Sequence, residues 1–466
     1  MKQKVILVLD CGATNIRTVA VTEKGKLLAK SSLPNRVSAD PHFPEYKIWD
    51  IDEIWNKFLI TICDVVKKIE NHQIAGITVT TFGVDVAPVK KDGTLLYPII
   101  SWACQRTSPI MNNIDKYIDF RLLYHINGVN RFSFNTINKL IWFKENKPEI
   151  FDKCDYFAFI SNILLFKLCE NWATDLTMAG TSMLTDLKSR NFSDIIFNSI
   201  GLEKKIFPDI SEAGTIIGYS TKKIEELTGI PSGTPVISAG HDTQFAVFGS
   251  GAKINQPVLS SGTWEILMAR TSEVNPDEYA MKNEVTTEFD PIPGYFDMGV
   301  QWLASGILEW CKNMFYSFEV NTLKPAEVYS LMIKEAENVN PENVKILPDF
   351  LNNNGIISGL GINTNRNQIY KAALLALSQK TKQSLEILER TGNFKAESLL
   401  LVGGGVKNNL WNKLRAETLG IPIKIIDIEE TTVLGAAIFA FYGLGFYKSP
   451  DDAQNIIDYK ITEIKP

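Results

Sequence analysis

The sequence predicts an α/β fold built from two similar lobes, on three observations. The chain opens on an apolar run, Val5-Ile6-Leu7-Val8-Leu9, which ends in a small polar turn, Asp10-Cys11-Gly12-Ala13-Thr14-Asn15, and passes into a second β-rich run from Ile16 to Val21. About one domain length later, roughly 250 residues, the pattern returns: Pro257-Val258-Leu259, then Ser260-Ser261-Gly262-Thr263, then Glu265 to Ala269. Between and after these echoes, apolar strands alternate with segments of helical periodicity. A chain of 466 residues exceeds a single core, so two domains are expected, 1–245 and 246–466.

Taken in order, the first long helix is expected from Trp49 to Ile69, where Ile51, Ile54, Trp55, Phe58, Leu59, Ile62, Val65 and Val66 recur at helical spacing. Ala75 to Thr81 is a buried strand running into Phe82-Gly83-Val84-Asp85, and α/β sheets place ligands where strands end in such turns. Lys91-Asp92-Gly93 is a hairpin turn. Tyr124 to Leu202 is helical and aromatic, an insertion on the first domain. The strand Val236 to Ala239 leads into Gly240-His241-Asp242, and a further helix follows at Phe245. In the second half a long helix spans Asn367 to Thr391. The apolar strand Leu399 to Val402 ends in Gly403-Gly404-Gly405. The last strong helix, Thr432 to Tyr442, carries Gly435-Ala436-Ala437, small enough for a neighbouring backbone to approach closely.

Composition narrows the function. A net charge of −5 with no Lys/Arg-rich block argues against a nucleic-acid surface. The opening apolar run is too short for a signal-peptide core or a membrane span. Six cysteines stand singly and there are only four histidines, which speaks against a disulfide framework and a structural zinc site. A reduced, cytoplasmic protein of enzyme size is expected.

The turns carry the chemistry. Gly12 and Ala13 let backbone amides approach phosphate oxygens, Thr14 and Asn15 supply donors, and Asp10 is placed to hold Mg²⁺ through water. The same residue types also make an ordinary hairpin turn. Gly262 and Thr263 repeat the arrangement for the β- and γ-phosphates, and Gly403, Gly404 and Gly405 offer a Cβ-free surface for adenine and ribose, or merely a strand–helix joint. Asp242 is the candidate general base, a carboxylate able to take a proton from an attacking hydroxyl, and it also fits a helix N-cap. His241 is expected to hydrogen-bond a substrate or to orient the turn. Arg17 reaches toward the transferring phosphate or is a solvated side chain. Trp264 is expected in the core, and Glu265 either contacts the substrate or fits the hairpin. Together these residues point to phosphoryl transfer.

Several of these segments, read in this order, resemble the FGGY carbohydrate kinases, within the actin-like ATPases: Val5 to Val21, Thr80 to Asp85, Tyr97 to Trp102, Met178 to Ser182, Ser238 to Phe245, Leu259 to Met268, Gln301 to Gly306 and Val402 to Gly405. The resemblance covers essentially the whole chain. It implies two actin-like, ribonuclease H-like α/β domains flanking an interdomain cleft and closing over substrate by hinge motion. It implies ATP and Mg²⁺ as cofactors and a small-molecule ketose as acceptor, no nucleic acid or membrane partner, and a homodimer as one open assembly. Asn408 matches the asparagine that contacts adenosine, while Gly83, Asp85, Arg106, His241, Asp242 and Thr243 fall on the sugar side. Many relatives carry Trp-x-Asp-x-Arg where this chain reads Trp102-Ala103-Cys104-Gln105-Arg106, so Cys104 replaces the carboxylate. That departure fits the branch acting on the C1 hydroxyl of L-fuculose. L-Rhamnulose, D-ribulose and D-xylulose remain alternatives, as does an actin-like ATPase with no sugar acceptor.

Overall fold

The computed structural model describes residues 3–70, 72–351, 353–428 and 430–466. They form two compact units, the first reaching to residue 251 and including 275–297 and 430–458, the second comprising 252–274, 298–429 and 459–466.

The first unit is built on a six-stranded sheet ordered Ile216–Tyr219, Pro235–Ile237, Gln73–Thr81, Lys4–Cys11, Asn15–Thr22, Leu27–Pro34. Lys4–Cys11 pairs parallel with Gln73–Thr81, which pairs parallel with Pro235–Ile237, whereas Asn15–Thr22 folds back antiparallel. Val5 through Leu9 are fully buried, as expected of a strand covered on both faces. The helix Ile51–Lys68 lays Ile51, Ile54, Phe58, Ile62 and Val65 onto this sheet. It starts two residues later than the periodicity suggests. Asp50 caps it, accepting from the N–H groups of Asp52 and Glu53 at 3.0 Å each, while Trp49 ends the short strand Lys47–Trp49. The helical segment expected between Tyr124 and Leu202 resolves into short helices, among them Thr136–Asn146, Ile160–Cys169 and Leu176–Gly180.

The second unit repeats the local plan. Val258–Ser261 pairs antiparallel with Trp264–Thr271 and parallel with Leu399–Val402, which pairs parallel with Ile423–Ile426. In both units a buried first strand makes a hairpin on one side and takes a parallel neighbour on the other, which is the echo seen in the sequence. The long helix is Arg366–Thr391.

Candidate active site

In the first unit three parallel strands end level with one another. Asp10 lies opposite Thr80 and Cys11 opposite Thr81, and Thr81 in turn bridges to His241. The Thr81 N–H and the Thr80 hydroxyl both donate to the Gly240 carbonyl at 3.0 Å. The Asp10 turn, the Gly83 turn and Gly240-His241-Asp242 are therefore brought to the carboxyl ends of neighbouring strands, where open α/β sheets bind ligands. In the first turn the Gly12 N–H donates to the Asn15 carbonyl at 2.9 Å, and Asn35 donates to the Gly12 carbonyl at 2.9 Å. Thr14 and Asn15 are exposed, and Gly12 and Ala13 are half-buried.

Asp10 is buried and accepts from Arg17, whose guanidinium also donates to Glu430 at 2.6 Å. Burial pushes the Asp10 pKa up to about 6, against the pull of Arg17 and with help from the negative charges of Asp242 and Glu430. Arg17 is thus held by two carboxylates rather than solvated.

Asp242 is the first residue of the helix Asp242–Gly249, with His241 in the cap position. The helix N-terminus favours its ionised form. Burial raises its pKa; His241 and Thr243 oppose this, the Thr243 hydroxyl lying 3.2 Å from Asp242 Oδ1. The His241 ring sits between carboxylates, Nε2 3.4 Å from Asp242 Oδ1 and Nδ1 3.6 Å from Glu288 Oε2. Burial works against its charged form, but Glu288 and Asp242 outweigh this and raise the pKa. Behind the turn, the His241 N–H donates to the Thr177 hydroxyl at 2.9 Å, and Asp175 accepts from the Thr177 N–H at 2.7 Å. A side chain at Gly240 would run into Asp175 and Thr177.

The sugar-side candidates are placed differently. A Cβ on Gly83 would lie 3.0 Å from His241 Nε2, so Gly83 borders the Asp242 turn. Asp85 is fully buried and saturated: one carboxylate oxygen takes Lys139, the other takes Trp49 Nε1 at 2.6 Å and the Trp102 N–H at 3.0 Å. Burial pushes Asp85 up and Lys139 down. Against burial, three donors converge on Asp85, Lys139 among them, and each favours the carboxylate form. Arg106 is also buried, 3.3 Å from Asp40 and 3.1 Å from the Tyr97 hydroxyl, under the Tyr46 ring at 4.1 Å; its Nε donates to Cys104 Sγ at 3.1 Å. Asp85 and Arg106 therefore stand as the cores of two internal networks.

In the second unit the Gly262 N–H closes the hairpin turn onto the Trp264 carbonyl at 3.1 Å, and the N–H groups of Ala304 and Ser305 secure the carbonyls of Thr263 and Gly262 at 2.9 and 3.1 Å. Thr263 is exposed. Trp264, expected in the core, is 44% exposed: alternation along the strand gives the buried face to Glu265, which is sealed against Arg415 and accepts from the Ser261 hydroxyl at 2.7 Å. Burial pulls Arg415 down to about 10, so it remains a cation. Gly403 has φ 90° beside the Ser261 carbonyl, Gly405 packs against the Ser261 side chain, and Gly404 faces open space. Asn408 caps the helix Asn409–Leu419 through the Trp411 N–H at 3.0 Å and donates to the Tyr370 hydroxyl at 3.1 Å.

The sequence reading missed the residues that hold these groups: Glu430 behind Arg17, Glu288 behind His241, Asp175 behind Gly240, and Lys139 behind Asp85. Only Lys139 left a signal, a lysine among the buried positions of a helix.

Strand-end carboxylates and a duplicated α/β plan with two small-residue hairpin turns are the features expected of an actin-like phosphotransferase. The FGGY carbohydrate-kinase N-terminal domain model matches residues 5–249 and the C-terminal domain model residues 258–444, and the chain belongs to the FGGY family of carbohydrate kinases. It is 44% identical over 469 residues to the L-fuculokinase of Escherichia coli K12, covering all of this chain and 98% of that protein. It is also 44% identical over 471 residues to the L-fuculokinase of Haemophilus influenzae, covering 99% of each. Among solved structures, xylulose kinase from Rhodospirillum rubrum superposes with a TM-score of 0.90 at 18% identity, covering 99% of this chain and 94% of that one. Glycerol kinase from Plasmodium falciparum with ADP gives 0.86 at 18% identity, covering 98% and 94%. The chain is an ATP-dependent sugar kinase. Among the described residues no helix is long and apolar enough to cross a membrane.

Proposed function

We propose that this kinase transfers the γ-phosphate of ATP to the C1 hydroxyl of L-fuculose, giving L-fuculose 1-phosphate. The observation that carries the substrate is likeness over the full length, at 44% identity, to proteins named L-fuculokinase. In this reading Asp242 takes the proton from the C1 hydroxyl as its oxygen bonds to the γ-phosphorus and the bond to ADP breaks. His241, whose charged form Glu288 and Asp242 favour, helps when protonated to keep the base ionised. Gly83, His241 and Thr243 border the acceptor, while Asp85 and Arg106 serve it from within their networks.

Gly12, Ala13, Thr14, Asn15, Gly262 and Thr263 are assigned to the phosphates, and Gly403, Gly404, Gly405 and Asn408 to the adenosine. Among the described residues no cluster of three or more ligating side chains forms a protein-only metal cage. Asp10, a buried carboxylate in a field made more negative by Asp242 and Glu430, suits a hard cation that keeps water and phosphate as its other ligands. Asp10 would hold Mg²⁺, which when bound neutralises charge on the phosphate oxygens. The test is an ADP-release assay coupled to a panel of ketoses: L-fuculose is expected to give the highest kcat/KM. ATP turnover indifferent to every sugar would overturn the reading in favour of an acceptor-free ATPase.

A further inference from the structure

Val84 adopts φ 64°, in the left-handed region that a β-branched residue rarely occupies. Its neighbours enforce this. The Asp85 N–H folds back to the Gly83 carbonyl at 2.8 Å, and the Val84 N–H donates to the Thr181 hydroxyl at 3.1 Å. The Val84 carbonyl accepts from the Thr136 hydroxyl at 2.8 Å and from Lys139 Nζ at 3.0 Å. Lys139, itself without solvent exposure, is anchored by Asp85, and Asp85 in turn fixes the Trp49 indole that stacks on Phe82 at 4.6 Å. One buried ion pair therefore grips the turn from both sides of its strained residue. That turn carries Gly83 against the His241 ring.

Strain of this kind persists only where the surroundings over-determine it, and it concentrates at ligand clamps. A buried ion pair adds little net stability over well-packed neutral residues, so stability alone is a weak reason for one here.

We propose that the Asp85–Lys139 pair is a positioning device for acceptor recognition: it holds the Gly83-Val84 turn in its left-handed form beside His241 and Asp242, without touching the sugar. The kinetic part rests on the sugar-kinase reading above; the conformational part does not.

The test is the double variant Asp85→Asn/Lys139→Met. It removes both charges together, keeps an amide oxygen for Trp49 and Trp102, and avoids leaving one buried charge unpaired. Cooperative thermal unfolding establishes that it is folded. Its crystal structure is expected to show Val84 relaxed to negative φ; retention of the left-handed turn would overturn the proposal whatever the acceptor proves to be. In kinetics the acceptor KM is expected to rise about tenfold or more, with KM for ATP and saturated kcat within about threefold. The rise should be similar for every ketose the enzyme accepts. An unchanged acceptor KM would make the pair purely structural, and a loss confined to acceptors bearing one particular hydroxyl would mean that Asp85 binds that hydroxyl directly. Glycine needs no clamp at positive φ, so in a Val84→Gly background the double substitution should move acceptor KM by less than about threefold.

Discussion

Asp242 and Asp10 are both carboxylates at strand ends, yet the proposed chemistry asks different things of them. Asp242→Asn keeps shape and most hydrogen bonding but removes basicity, so kcat should fall by roughly 10²–10⁴, the usual worth of general-base catalysis, with far less change in acceptor binding. Steady-state kinetics with near-normal turnover would remove Asp242 from the mechanism. Asp10→Ala acts at the metal–nucleotide end, so its loss of activity should not be rescued by excess sugar; ordinary activity with Mg-ATP would refute the assignment. Asp175 gives a prediction about stability. Burial pushes its pKa up to about 7, against the donors Thr177, Met178 and Ser238. In an unfolded chain the value is about 3.9, so between about pH 4 and 7 the folded protein holds a proton that the unfolded chain has released. Its contribution therefore falls as pH rises through that window and is lost above the folded pKa. Asp175→Asn should flatten this part of the profile, which urea unfolding at acid and neutral pH would reveal. Apart from Lys139, such supporting residues were not legible in the sequence. Glu430 stands 413 positions from Arg17, and neither periodicity nor motif links them.

At the scale of elements the sequence was far more informative, because strands and helices announce themselves through local periodicity while their pairings do not. The echo at Val5 and Val258 was readable since each hairpin concentrates apolar residues before a small-residue turn. Helix starts were less so: Asp50 decides the first helix through a side-chain cap that the apolar spacing does not register. The small residues of the last helix, Thr431–Gly443, were legible as a close-approach surface, but not what approaches them. The partner is the helix Asp242–Gly249, packed so tightly that a Cβ on Gly435 would overlap the Phe245 carbonyl and one on Gly249 would overlap that of Thr431. Gly435→Ala should cost about 1–3 kcal/mol of stability through overpacking. Because the displaced helix begins at Asp242, kcat should fall as well. A variant of normal thermal midpoint and normal kcat would show that this contact does not fix the base.

For the whole molecule, the question left to experiment is which sugar is phosphorylated, and where. L-Fuculose is a 6-deoxy ketose, so it has no C6 hydroxyl and offers its primary hydroxyl at C1. A kinase for it must bring C1 to Asp242 and give the methyl end an apolar wall. Phe132 and Phe134, stacked at 4.9 Å and partly exposed, are suited to that wall, whereas Phe82 is committed to Trp49. A methyl group in such a pocket is worth only about 1 kcal/mol or a little more, so pentuloses lacking it should be poorer but real substrates. Hydroxyl stereochemistry should discriminate more strongly, because a mismatch leaves buried polar groups unpaired. The expected order is L-fuculose first, D-ribulose next, and glycerol essentially inert. Sugar should also stimulate ATP turnover, which a filament or chaperone ATPase would not require. Catalytic efficiencies across these acceptors, with the phosphorylated carbon located by NMR, decide the matter. A clear preference for glycerol or D-xylulose, or phosphate on any carbon other than C1 of L-fuculose, would overturn the substrate assignment and leave membership of the kinase family standing.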